Sequence, residues 1–213
     1  MSPSDKAVKS RQRDTQVAAL EVNLGGPVGL AFATRRPELV RGIVVAQSFG
    51  WAPGFLLQGI LKLMGSNFVR RVMTRTNLLM RATSSRFGVG RHLAAIGRHV
   101  FLAPMRDRSR RGVVHLLMKD TSRNSQLLSD IRAGIESVLT HRPFLMIIGR
   151  RNDPIHYYEK RWEALLPHAS KAIIPNGYHF PMCDDPDLFD SSLDAWWLKS
   201  VADHDVANPR SSP

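Results

Sequence analysis

The chain has 213 residues, of which 43% are hydrophobic, enough to bury one core and too many for a disordered polymer. Its formal charge of +12 and pI near 10.8 fit a basic surface that could meet nucleic acid, an anionic membrane or an acidic ligand. A single cysteine, Cys183, excludes an internal disulfide, and no apolar stretch reaches membrane-spanning length. The polar amino terminus lacks an apolar signal-peptide centre, so a cytoplasmic location is expected.

Residues 1–14 are charged and polar without periodicity and read as a disordered lead-in. An apolar run from Val17 to Leu20 then leads into a glycine turn at Gly25 and Gly26, and a short amphipathic segment follows that ends before Pro37. This is strand, turn, helix. The two glycines lack a Cβ, which lets the helix fold back tightly on its strand, and Pro27 stands where a first helical residue needs no N–H donor. The apex of such a turn is displayed at the carboxyl end of a sheet. Leu39 to Ala46 is a β-branched run suited to a strand buried on both faces of a parallel sheet, which gives a right-handed βαβ unit.

From Trp51 to Arg142 the periodicity becomes helical. Phe55, Leu56, Ile60 and Leu63, then Phe68, Val72, Leu78 and Leu79, form apolar stripes over residues 54–64 and 67–81. Further helices are predicted over 92–101, 109–119 and 125–139. Between Val69 and Arg123 lie twelve Arg and one Lys against Asp107 and Asp120, a net charge of +11. The stretch has no arginine-glycine repeat, no aromatic ladder and no recognisable nucleic-acid module, so a solvated basic face is the plain reading and nucleic acid is not favoured.

Pro143 to Gly149 reads as another buried strand, with a loop from Arg150 to Ile155 after it. A helix over 157–166, a short strand over 171–175 and a loop from Asn176 to Pro181 come next. A closing helix over 187–199 has Leu188, Leu193, Trp196 and Trp197 on its apolar side, and residues 200–213 read as a disordered tail. The eight histidines show no paired ligand spacing, so neither metal nor cofactor is expected.

The stretch Glu21-Val22-Asn23-Leu24-Gly25-Gly26-Pro27 resembles the nucleophile elbow of the α/β-hydrolase superfamily, in the branch of haloalkane dehalogenases and epoxide hydrolases. That branch has Gly, His, Asp, Trp, Gly, Gly, Pro, with the Asp as nucleophile. The resemblance implies an α/β fold: the carboxyl-terminal portion of an α/β-hydrolase, parallel strands five to eight, with a helical cap inserted. Residues 15–50 and 143–199 would then be the core and 51–142 the cap. It places Asn23 at the nucleophile, Asp153 at the acid and His179 at the base, in the family's chain order. Leu24 takes the place of a halide-binding Trp, and Trp51 resembles an aromatic that follows the sixth strand and contributes to substrate binding, although packing under the cap is the plainer role.

A neutral carboxamide is a poor nucleophile, since its lone pairs are delocalised and it carries no charge. Asn nevertheless tolerates the left-handed backbone of a tight turn, so the scaffold can outlast the chemistry. Cys183 follows the histidine loop and does not occupy the elbow, which argues against a Cys-His hydrolase. Only twenty-two residues precede Asn23, where the family has four strands and a loop donating half of the oxyanion hole. The first strand would thus be an open edge, favouring self-association. The resemblance implies hydrolysis of a small apolar ester, epoxide or halide, impaired at residue 23. The alternative is a non-catalytic binding protein whose basic cap engages an anionic partner.

Overall fold

Valine- and isoleucine-rich runs form four parallel strands, β1 (Val17–Val22), β2 (Val40–Ala46), β3 (Phe144–Gly149) and β4 (Ser170–Ile174), side by side in chain order. The computed structural model describes residues 17–22, 25–52, 54–85, 88–89, 95–151 and 157–202. The register pairs Val22 with Ala46, Ala46 with Ile147 and Gly149 with Ile174, so all four strands reach the same rim. This is the contiguous arrangement expected for strands five to eight of the family's sheet.

Successive strand residues point to opposite faces, and the two faces have separate cores. Ile43, Val45, Met146 and Ile148 meet Leu30, Ile131, Ile135 and Trp162 on one side. Val44, Leu145, Ile147 and Ile174 meet Phe189 and Trp196 on the other. The first layer contains α1 (Gly25–Arg35), α7 (Ser125–Gly134) with its wide π-type continuation Ile135–Leu139, and α8 (Tyr158–Leu165). The second contains α10 (Pro186–Trp196), which starts after the short α9 (Pro181–Asp184) and is capped by Asp185, whose side chain accepts from Leu188 N. Leu188, expected on the apolar side of this helix, is exposed, and Phe189 fills the core in its place.

Between β2 and β3 come α2 (Phe55–Met64), α3 (Asn67–Thr76), α4 (Leu78–Thr83), α5 (Ala95–Leu102) and α6 (Arg108–Arg123). The single helix expected over 67–81 breaks at Asn77, whose φ of 55° is left-handed and whose N–H closes the preceding turn on Met73 O at 2.9 Å. Asn is among the few side chains that accept that conformation cheaply. Both α2 and α3 pack on α6. His115, buried in α6, lies 3.1 Å through Nδ1 from Met64 O, and the Arg111 guanidinium donates to the Thr74, Met105 and Arg106 carbonyls. These two residues join helices; they are spent on structure.

The stripes read from the sequence do not all face inward. Among the side chains described, Leu61 of α2 and Met73 of α3 are buried, while Phe55, Ile60, Leu63, Phe68 and Leu78 are exposed.

Candidate active site

Parallel strands deliver their carboxyl ends, and the loops that follow them, to one rim of the sheet. There β2 runs into Gln47 and Ser48, both fully buried. Gln47 has a left-handed φ of 48°, and its Nε2 donates to Gly149 O at 3.1 Å, which ties the tip of β2 to that of β3. Ser48 lies under the start of α1: a Cβ on Gly26 would fall 1.6 Å from Ser48 Oγ. Gly26 therefore lets α1 close on the end of β2, a neighbour other than the preceding strand against which the glycine turn was expected to pack. The Trp162 indole N–H donates to Ser48 O at 3.0 Å, fixing the same exit from the α8 side.

Two further loops meet at this rim. Gly149 ends β3 against the next loop, where a Cβ would stand 2.3 Å from Tyr178 O and 2.8 Å from Gly177 C. Arg151 N donates to Gly177 O at 2.9 Å and Arg150 N to Ile174 O at 3.0 Å. The loop after β3 thus starts out hydrogen-bonded to the loop after β4. The latter is held again by Tyr178 N, which donates to Asp184 Oδ2 at 2.5 Å. His179 follows directly, half-buried, with its ring edge-on to Phe180 at 4.8 Å.

Of the residues singled out from the sequence, His179 and Trp51 are described, whereas Asn23, Leu24 and Asp153 lie outside the described residues. Asn23 and Leu24 fall between β1 and α1, and Asp153 two positions beyond Arg151. Trp51 is 8% exposed and packs edge-on against Trp162 at 4.9 Å and beside Tyr158 at 6.4 Å, with the Arg161 guanidinium 5.6 Å over its ring. It also walls a cavity of about 460 Å³ shared with Ser129, Arg132 and Leu165. Burial, with the Asp184 carboxylate next to it, pushes the Cys183 thiol up, away from the thiolate a cysteine nucleophile needs. Among the described residues no three His, Cys, Asp or Glu side chains gather as metal ligands. No described helix is long and apolar enough to cross a membrane.

The backbone arrangement is shared with solved structures. Haloalkane dehalogenase DatA from Agrobacterium tumefaciens C58 superposes with a TM-score of 0.71 at 13% identity, covering 86% of this chain and 67% of that one. Haloalkane dehalogenase DbeA from Bradyrhizobium elkani USDA94 gives 0.66 at 16% identity, covering 90% and 70%. The chain has a haloalkane dehalogenase-like α/β-hydrolase fold. Its sequence points the same way: haloalkane dehalogenase 2 of Mycobacterium bovis and of Mycobacterium tuberculosis is 26% identical over 174 residues. That match takes in 79% of this chain and 60% of the relative, so the chain spans about three fifths of the length of the curated relatives it matches. No family model matches the chain.

The glycine turn into α1 and the loop after β4 were legible in the sequence, but Gln47 was missed. A polar residue directly after a buried strand was the only local signal, and its hydrogen-bond partner is 102 positions away.

Proposed function

We propose that the chain keeps the water-activating half of a hydrolytic site, Asp153 and His179, and lacks its nucleophile because residue 23 is asparagine. Support comes from the Arg151 N to Gly177 O hydrogen bond, which joins the two loops two residues short of Asp153 and two short of His179. In that arrangement a carboxylate accepting the imidazole Nδ1–H fixes the tautomer, and Nε2 is left to take a proton from water. The substrate is a small apolar ester, epoxide or halide. Halide is the least favoured, since Leu24 offers no indole N–H to a departing anion. Without a carboxylate at residue 23 the remaining route is direct attack by water, with the proton passing to His179 and the leaving group departing with the bond electrons. Loss of a nucleophile costs on the order of 10⁶ in turnover.

The test is Asn23→Asp, alone and combined with His179→Ala, assayed on bromoalkanes, epoxides and nitrophenyl esters. The single variant should turn over at least one class far faster than the native chain. The double variant should stall as a covalent ester on residue 23, visible by intact mass. An Asp at residue 23 that neither turns over nor is alkylated would overturn the proposal. Slow hydrolysis of the Asn23 amide by the same His179-activated water would give native protein already carrying Asp at 23, which peptide mapping reads directly.

A second reading is carried by the surface of the helices between β2 and β3. Arg70, Arg71, Arg75, Arg98, Arg106 and Arg110 are exposed there, as in a binding protein whose cap engages an anionic partner.

A further inference from the structure

The outer surface of the cap combines two kinds of side chain that separately would have different explanations. α2 and α3 turn Leu61 and Met73 inward and pack on α6, and other described side chains of both helices face out. On α3 the outward side presents Phe68, 75% exposed, with Arg71 and Arg75 at the i+3 and i+7 positions. On α2 it presents Phe55, 93% exposed, with Lys62 and Leu63 two turns on. α5 exposes Ile96 and Val100, one turn apart on one side, and Arg98 on the opposite side. From Val69 to Arg123 the net charge is +11, and one of the two acids, Asp107, accepts from Ser109 N at the start of α6.

From this surface we infer that the cap docks on an anionic lipid bilayer, lying in its interface without crossing it. The inference rests on the second reading above and names its partner. Arginines meet the negative headgroups, while phenylalanine and aliphatic side chains on the same helices enter the boundary of the acyl chains. Nucleic acid would satisfy the arginines equally well and leave Leu63, Ile96 and Val100 in water, because bases stack on flat aromatic platforms and not on branched aliphatics. Charge alone therefore does not account for the face; charge with exposed apolar groups does.

The full chain is sedimented with vesicles of phosphatidylcholine alone and of an equal mixture of phosphatidylcholine and phosphatidylglycerol, and is run in parallel on heparin and on duplex DNA. Binding should require the anionic lipid and weaken with salt. Arg71→Gln with Arg75→Gln should weaken it by about fivefold per arginine. Phe55→Ser with Phe68→Ser should weaken vesicle binding several-fold and leave heparin retention unchanged; both positions are exposed, and circular dichroism checks the fold. Equal binding to neutral and anionic vesicles, or vesicle binding indifferent to the Phe substitutions, overturns the inference. Retention on DNA or heparin without vesicle binding also overturns it, while leaving the broader anionic-partner reading in place. Absence of retention on every anionic support removes both.

Discussion

Gly149 stands where two loops are forced together, and it shows how narrow the tolerance at this rim is. A methyl group there would meet the carbonyl oxygen of Tyr178 and the carbonyl carbon of Gly177, both backbone atoms with no rotamer to give way. Gly149→Ala is expected to cost about 1–3 kcal/mol, as overpacking does, and to displace the loop carrying His179. Urea denaturation measures the first effect and the perturbed His179 ring signal in NMR the second. Gly59 is the control: a Cβ meets nothing within 4 Å, so Gly59→Ala in α2 should be neutral or stabilise by up to about 1 kcal/mol through helix propensity. Equal costs at the two positions would contradict the packing account. At this scale the sequence was legible where chemistry is local. That a glycine stands at residue 26 suits the local turn from strand to helix, although the atom that excludes a Cβ there belongs to Ser48. Gln47 was not legible, because its polar atoms are satisfied by a residue that only the sheet brings near.

Elements are joined by charge as well as by packing. Glu159 on α8 accepts from Arg150 at the exit of β3 (2.7 Å) and from Lys171 on β4 (2.8 Å), and Lys171 also reaches Glu163. The Lys171 ammonium, with Arg150 beside it, holds the Glu159 carboxyl below the usual carboxylate range against an opposing push from burial. The same contacts hold Lys171 above the usual lysine range, Glu159 first and Glu163 next. A lowered carboxylate contributes stability that is present above its unfolded value and lost as pH falls through the folded one. A raised lysine contributes stability present below its unfolded value and lost as pH climbs through the folded one. The cluster is therefore complete at neutral pH. Because Arg150 and Lys171 are well exposed, it adds no more than about 1 kcal/mol. The urea midpoint of the native chain should exceed that of Glu159→Gln at neutral pH, and the gap should close in acid. A gap independent of pH would refute the assignment.

The order of strands and helices could be read from periodicity, since period two and period three-to-four patterns leave distinct apolar spacings. The break at Asn77 was hidden because Arg, Thr and Leu on either side continue the helical pattern. Which layer a helix joins was hidden as well. The stripe of α7 meets the sheet core through Leu128 and Ile131, whereas Phe55, Leu63 and Phe68 remain outside. An apolar stripe records that a face seeks low polarity, and says nothing of which surface supplies it.

On the scale of the whole molecule, β1 pairs with β2 and, among the described residues, with no other strand. A strand with one unpaired side offers a row of N–H and C=O groups to any extended chain. The isolated chain is therefore expected to associate through this edge, with a light-scattering mass that rises above 23.9 kDa as concentration increases. A mass constant at the monomer value across the range would rule this out. That β1 lies outermost of the four described strands was legible from the family resemblance alone, because composition and periodicity do not give strand order.

Chain order along the sheet also bears on how the molecule is made. β1 and β2 are separated by a short helix, but the ladder between β2 and β3 closes over residues 47–143. For a flexible segment of that size the length-dependent part of the entropy of closure is about 4 kcal/mol. Helices form from local contacts and fold faster than distant strands can meet. The cap is thus positioned to shorten the effective loop before β3 arrives. On the ribosome, β2 must wait with its inner side bare until the entire insertion has been translated, and the interval in which the nascent chain is most open to mispairing is set by the length of the cap.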